Sequence, residues 1–98
     1  MYNIHMQLVW NAIKASQNLK KHNVSFEEAQ TVFYQPTTKV AHDPEHSESE
    51  DRFLAIGYSS LSKLLIVVHC YKDEEETIRI ISARKTTKTE KQQFEEGL

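Results

Sequence analysis

The sequence predicts an α+β fold, because the residues that favour helices and those that favour strands occupy separate stretches of the chain. Helix signals dominate between residues 11 and 36, and β-rich runs linked by short turns dominate from residue 37 to residue 83. We expect an antiparallel β-sheet packed against two N-terminal helices, with a short C-terminal helix. The predicted strands cover residues 6–10, 37–41, 52–58, 64–71 and 77–83.

The two N-terminal helices are predicted from their end signals. Asn11 can cap the first helix, which ends at the basic run 20–22, where positive charge opposes the negative end of the helix dipole. Asn23 then suits a left-handed position. The run 25–28 (Ser-Phe-Glu-Glu) has the form of a capping box that opens the second helix, and Pro36 ends it.

Two features of the strands bear on function. The run 64–68 is apolar without alternation, which indicates a strand covered on both faces, and we expect a second protein to cover the face that the helices leave open. Strict alternation places Arg79 and Arg84 on opposite faces unless a bulge re-aims one of them.

The run 87–90 (Thr-Lys-Thr-Glu) is a second capping box, which opens the C-terminal helix.

Length, charge and cysteine usage exclude several classes. The 98 residues predict one domain, covering 1–98. A formal net charge of −2 excludes a strongly basic nucleic-acid binder, although a locally basic face stays open. Cys70 is the only cysteine, so we expect no intrachain disulfide and no disulfide-stapled secreted scaffold. No apolar stretch approaches 18 residues and no signal peptide is evident, so we expect a cytoplasmic protein without a membrane role.

The charges are unevenly distributed along the chain. The stretch 79–91 holds five basic residues against a single acid, Glu90, while acids concentrate in 42–51 and 73–76. A second basic cluster lies in the first predicted helix. This pattern suits contact with an RNA backbone, although charge runs on a small protein are also typical of a solvated surface.

The run 19–29, together with Val32 and Phe33, resembles the "KHGVSFEEA…VF" segment of the BrnT toxins. The similarity continues through 43–47, 56–59 and 78–84, and spans roughly residues 8 to 95. It departs from the family pattern where Asn11, Asn23, the pair 62–63 (Ser-Lys) and Phe94 stand in place of Asp, Gly, Gly-Arg and Tyr.

The resemblance implies a RelE-like fold and a metal-independent endoribonuclease that cleaves RNA and arrests growth. It further implies a BrnA-like antitoxin with a ribbon-helix-helix DNA-binding part, joined to the toxin in a heterotetramer. Operator DNA would be contacted only through the antitoxin. We expect no cofactor.

RNA cleavage without a metal uses the substrate's 2′-OH as nucleophile, and needs a proton acceptor, a proton donor and cations at the phosphate. Histidine suits the proton steps, and arginine can grip two phosphate oxygens. We therefore expect catalytic roles for His22, Arg52, Arg79 and Arg84, RNA contacts from Lys21, Lys63, Lys85 and Lys88, and a supporting role for Glu50.

Each candidate has a plainer structural interpretation. His22 could simply favour the helix dipole, and Arg79 could form an ion pair with Glu50. Arg52 could pair with Glu50 or Asp51, and in that case Glu50 would orient Arg52.

Two other chemistries are weaker. His42, Asp43 and His46 invite a metal interpretation, but they lie in a predicted loop rather than on a helix with ligand spacing. A nucleophilic pair of Cys70 and His69 is disfavoured, because adjacent strand residues point to opposite faces.

Two alternatives to a ribonuclease toxin remain open. One is a catalytically weak protein of the toxin fold that acts mainly through antitoxin binding and operon repression. The other is a generic α+β interaction module.

Overall fold

The computed structural model describes residues 6–46, 50–74 and 76–97, and for residue 46 the backbone only. The helices are α1 (Ala12–His22), α2 (Phe26–Gln30) and α3 (Lys88–Glu95). The strands are β1 (Gln7–Val9), β2 (Lys39–Asp43), β3 (Arg52–Tyr58), β4 (Leu64–Lys72) and β5 (Thr77–Lys85). Short 3-10 turns follow α2 and β2. Among the described residues, no helix is long and apolar enough to cross a membrane.

The five strands form one mixed sheet in the order β1-β5-β4-β3-β2. Strands β2 to β5 pair antiparallel, as predicted, but β1 pairs parallel to β5, with Leu8 opposite Ile78. The expectation of an antiparallel sheet is therefore wrong at this edge. A hairpin turn forces its two strands to run antiparallel, whereas β1 and β5 are far apart in the chain and no turn sets their relative direction.

One face of the sheet carries the hydrophobic core. Helices α1 and α2 pack against β5, and the 3-10 turn after α2 packs against β3. The sheet contributes Ala55, Leu65, Val67, Ile78, Ile80 and Ala83, and the helical layer contributes Val24, Phe26, Ala29, Val32 and Phe33. All of these residues are at most 1% exposed.

The predicted helix ends are largely confirmed. Asn11 accepts hydrogen bonds from the backbone N–H groups of residues 13 and 14, and Asn23 adopts φ 56° and donates to the Leu19 carbonyl. Ser25 caps α2 by accepting from the Glu28 N–H. The Glu28 carboxylate, however, does not complete the box. It accepts a 2.7 Å hydrogen bond from the Ser59 hydroxyl and so ties α2 to the β3–β4 turn.

The second face of the sheet is partly covered by the chain's own α3. The rings of Tyr58 and Phe94 meet edge to face at 5.9 Å between centroids, and the Tyr58 hydroxyl donates to Glu95. Leu64 and Ile66, which face this side of β4, are only 5% and 4% exposed. The chain itself therefore buries most of the run 64–68, although Val68 is half-buried, and cover by a second protein stays a prediction.

Candidate functional site

A β-bulge in β5 shapes the second face of the sheet. Val68 pairs with Ser82 and His69 pairs with Ile80, so Ile81 is an extra residue in β5. The bulge shifts the alternation by one position. Ile80 and Ala83 both face the core, while the residues after each of them, Ile81 and Arg84, face the other side. Arg79 and Arg84, which strict alternation would separate, thus share a face.

Two depressions meet at this bulge and together form what we call the β5 cleft. One has a volume of about 350 Å³ and the other about 230 Å³, and Ile81 and Ser82 line both. The helix wall of the cleft consists of Lys14, Gln17, Asn18, Lys21 and His22. The strand wall consists of Arg52 and Arg84 with Asp43 and Glu45, and Leu54, Ile66 and Val68 form the apolar floor of the same depression.

The helix wall extends along α1 to its C-terminal end. Lys21 and His22 lie in its last turn, where the carbonyl groups carry partial negative charge and favour cations. His22 is half-buried and Lys21 is exposed. A titratable imidazole thus lies beside an ammonium group at one end of the cleft.

Arg84 forms the end of the strand wall next to α3. Its guanidinium donates two parallel hydrogen bonds to Glu90, of 2.8 and 2.9 Å. These bonds raise the pKa of Arg84 and lower the pKa of Glu90 to about 2. Glu90 also accepts from the Thr87 N–H, which completes the predicted capping box of α3. The cap of α3 therefore holds the Arg84 side chain in place.

Arg52 is the second arginine of the strand wall. It opens β3 opposite Asp43 of β2, and it shares a face with Leu54. The Glu50 carboxylate binds Arg79, and the orientation of Arg52 by Glu50 stays a prediction. Asp51, the other suggested partner, lies 3.2 Å from His42.

Arg79 lies outside the β5 cleft. Its guanidinium forms an ion pair with Glu50. This is the structural alternative to a catalytic role that the sequence suggested for Arg79. Cys70 is the β4 neighbour of Arg79 and is 1% exposed. Burial raises the pKa of the Cys70 thiol, which keeps it protonated and poorly nucleophilic.

Of the four predicted catalytic residues, Arg52 and Arg84 line the first depression of the β5 cleft and His22 lines the second. Of the predicted RNA-binding lysines, only Lys21 lines the cleft. Lys85 and Lys88 are exposed beyond the Arg84 end of the cleft, and Lys63 is half-buried at the start of β4.

His69 is buried on the core face, away from Cys70, as alternation requires. Its ring packs edge to face on Phe33 at 4.9 Å between centroids, and its Nε2 lies 3.3 Å from the Tyr71 hydroxyl. Burial lowers the pKa of His69 to about 4. Within the described part of the chain, no three His, Cys, Asp or Glu side chains are grouped to hold a metal ion. The side chain of His46, one of the three suggested ligands, lies outside that part.

Asn18 is a cleft residue that sequence reasoning missed. Its side-chain amide donates to the Val24 carbonyl at 3.0 Å and the Ala83 carbonyl at 2.8 Å, and its oxygen accepts from the Ala83 N–H at 3.0 Å. It is 6% exposed. The sequence did hold one signal for Asn18, which is its position three residues after Ala15, on the inward side of α1.

The fold and the β5 cleft define a small α+β protein with a cationic, apolar-floored cleft of the kind that can bind a phosphodiester. The profile of one family, described as "Ribonuclease toxin, BrnT, of type II toxin-antitoxin system", matches residues 10–90. Because this match covers most of the sequence, the chain belongs to the BrnT family, as the resemblance predicted.

A solved structure agrees with this assignment. The 1.1 Å crystal structure of the Brucella abortus ribonuclease toxin BrnT is similar to this chain, with a TM-score of 0.65 and 21% sequence identity. The similarity covers 85% of this chain and 99% of that one. At this identity the likeness shows a shared fold. Among curated protein sequences, none matches this chain at a significant level.

Proposed function

We propose that this chain is a metal-independent endoribonuclease toxin that cleaves RNA in the β5 cleft. One observation carries the proposal: Arg52 and Arg84 line one depression, His22 lines a second, and the two depressions share Ile81 and Ser82 of β5. The imidazole and guanidinium groups can meet the needs of 2′-OH attack, which are proton transfer and stabilisation of charge on the phosphate. Membership of a ribonuclease toxin family supports the same activity.

The cleft suggests a division of roles. Arg52 and Arg84 bind the scissile phosphate and stabilise the negative charge that grows on it, since guanidinium groups match phosphate oxygens in geometry. His22 transfers a proton at the 2′-OH or at the leaving 5′-oxygen. Lys21 adds positive charge next to His22.

The residues outside the cleft have lesser roles in this proposal. Lys85 and Lys88, which are exposed, and Lys63, which is half-buried, contact flanking phosphates. Arg79 and Glu50 neutralise each other above Cys70 and take no direct part in the chemistry.

The partner we propose is a BrnA-like antitoxin with a ribbon-helix-helix part, in a heterotetramer that contacts operator DNA through the antitoxin. Membership of a type II toxin-antitoxin family supports an antitoxin partner. A segment that occupies the β5 cleft would exclude the RNA phosphate and inhibit cleavage without touching every catalytic group. The proposal places this pair in the cytoplasm, where the RNA is, and assigns the sheet and its helices to a RelE-like fold.

A second function is favoured by one observation, the two hydrogen bonds between Glu90 and Arg84. A carboxylate that already binds a guanidinium competes with a phosphate for it. If that competition dominates, the chain is a weak nuclease that acts mainly through its antitoxin complex and operon repression.

Cleavage of RNA in EDTA by Arg84→Ala and Arg79→Ala, beside the wild type, tests the proposal. The two arginines form a matched pair, because each lies in β5, on the same face, in an ion pair with a carboxylate. We expect Arg84→Ala to lower the cleavage rate on the order of 100-fold or more, as loss of one charge-stabilising donor does. Arg79→Ala should cleave within a few-fold of the wild type.

Three outcomes would contradict this proposal. Folded wild-type protein that cleaves no RNA in EDTA would favour the second function. Equal loss in both variants would remove the β5 cleft as the specific site. Loss in Arg79→Ala alone would move the site to the Glu50 end of the face.

A further inference from the structure

We propose that Asn18 is a positioning residue that sets the separation of the two walls of the β5 cleft. This inference rests on the proposed function. It starts from the bonding of Asn18, whose single side chain makes three buried hydrogen bonds to the backbone of two other segments. Two of these bonds join the N–H and the carbonyl of one residue, Ala83, which is 65 positions away in the chain.

Asn18 replaces a missing strand at this edge of the sheet. β1 is only three residues long and pairs with β5 no further than Arg79. Beyond that point the outer edge of β5 would leave the polar groups of Ala83 without a strand partner, which is costly in a buried place. The side-chain amide of Asn18 donates and accepts as a strand backbone would, and it comes from α1 instead.

The position of Ala83 makes this contact relevant to the cleft. Ala83 lies between Ser82, where the two depressions meet, and Arg84 of the strand wall. Asn18 lies one helical turn before His22 of the helix wall. One side chain thus joins the two walls within one residue of Arg84 and one turn of His22.

The third hydrogen bond holds the end of α1 in orientation. The Asn18 amide also donates to the carbonyl of Val24, in the link between α1 and α2. Val24 is fully buried. The last turn of α1, which carries Lys21 and His22, is therefore held from the link that follows it and from β5 beside it.

If Asn18 had a purely structural role, its loss would affect cleavage no more than the loss of another buried hydrogen bond between a helix and the sheet. The chain offers a matched control of that kind. The Ser59 hydroxyl donates a buried 2.7 Å hydrogen bond to Glu28 and also ties a helix to the sheet. Neither Ser59 nor Glu28 lines the β5 cleft. Loss of either tie removes a buried hydrogen bond between layers, but only loss of the Asn18 tie releases one wall of the cleft from the other.

The experiment compares Asn18→Ala, Asn18→Ser and Ser59→Ala with the wild type in steady-state cleavage of a single-stranded RNA oligonucleotide in EDTA. The temperature is set well below the unfolding midpoint of the least stable variant. We expect Asn18→Ala to lower kcat on the order of 100-fold while KM changes only a few-fold, because misplacement by about 1 Å has this effect on a reacting group. Ser59→Ala should retain kcat within a few-fold.

Hydrogen exchange of the Ala83 amide gives a readout that does not need activity. It should accelerate in both Asn18 variants and stay at the wild-type rate in Ser59→Ala. Asn18→Ser keeps a hydroxyl near Ala83 and should show a smaller loss of kcat than Asn18→Ala. If Asn18→Ala does not fold, the same comparison is made with Asn18→Ser.

Equal kcat in the Asn18 variants and in Ser59→Ala would overturn the positioning role while the proposed function stands. An unchanged exchange rate at Ala83 would overturn it as well. A wild-type protein that cleaves no RNA would overturn the proposed function first, and the positioning role with it.

Discussion

The two faces of the β-sheet differ in what covers them. The face under α1 and α2 is closed, with side chains such as Phe33, Leu65 and Ile80 at most 1% exposed. The opposite face is covered only in part, at the α3 end, and carries two arginines over an apolar floor in the β5 cleft.

This difference shows how one small sheet can support stability on one side and charge on the other. A closed face gains free energy from burial of apolar area, and an unpaired charge there would be strongly destabilising. The half-open face keeps its guanidinium groups in contact with water and with carboxylates, so the desolvation cost of each charge stays small. Stability and the proposed chemistry should therefore respond to different substitutions.

The largest expected effect is on the closed face. Phe33→Ala should lower the free energy of unfolding by about 3–5 kcal/mol, since it leaves a cavity in the core. Leu54→Ala, on the half-exposed floor of the cleft, should cost less than half as much because less area is buried there. Urea denaturation of both variants measures the two costs. Equal costs would mean that the cleft floor is as closed as the core, and would remove the contrast between the faces.

The next effect is a pH dependence that belongs to His69. The folded-state pKa is about 4 against 6.5 for the free residue, so the unfolded chain binds a proton more readily. Stability from this residue is complete above pH 6.5 and falls as the pH drops towards 4, by roughly 3 kcal/mol in all.

Unfolding free energy measured from pH 7.5 to 4 in the wild type and in His69→Gln checks this effect. The variant should lose most of the slope between pH 6.5 and 4. A slope that survives the substitution would assign the pH dependence to other groups.

The smallest effect lies on the cleft face, at the Arg84–Glu90 pair. The pKa of Glu90 is lowered to about 2, so its contribution is complete above pH 4.5 and is lost as the pH falls towards 2. Glu90→Gln should cost about 1 kcal/mol or less at pH 7, since exposed ion pairs contribute little. The difference in unfolding free energy between wild type and variant should vanish near pH 2.

This window lies below the His69 window, so one series of measurements separates the two faces. A cost well above 1 kcal/mol at pH 7 would mean that the cap of α3 contributes to the core rather than only holding the Arg84 side chain.

Much of the local structure could be predicted from the sequence. The bounds of β3 match the prediction to the residue, and the predicted caps at Asn11 and Thr87 are present. These features depend on neighbours within about four positions, such as an oxygen at the N-cap or alternation along a strand. Such patterns can be read without knowledge of the rest of the chain.

The site was predicted only in part, because its geometry depends on contacts between distant segments. His22, Arg52 and Arg84 were proposed for their chemistry, but nothing local shows that they line two adjoining depressions. The sequence left Glu50 with two suggested partners, Arg52 and Arg79, and the fold pairs it with Arg79, 29 positions away.

The sequence by itself determined the fold class, the family, the order of the elements and the residue types that suit RNA cleavage. Only the tertiary structure decided the parallel direction of β1, the bulge at Ile81 that puts Arg84 on the face of Arg79, and the hydrogen bonds of Asn18 to Ala83. In each case the local sequence is compatible with more than one arrangement of the backbone. Long-range packing makes the choice, because only the assembled sheet determines which backbone groups lack a strand partner and which face remains open.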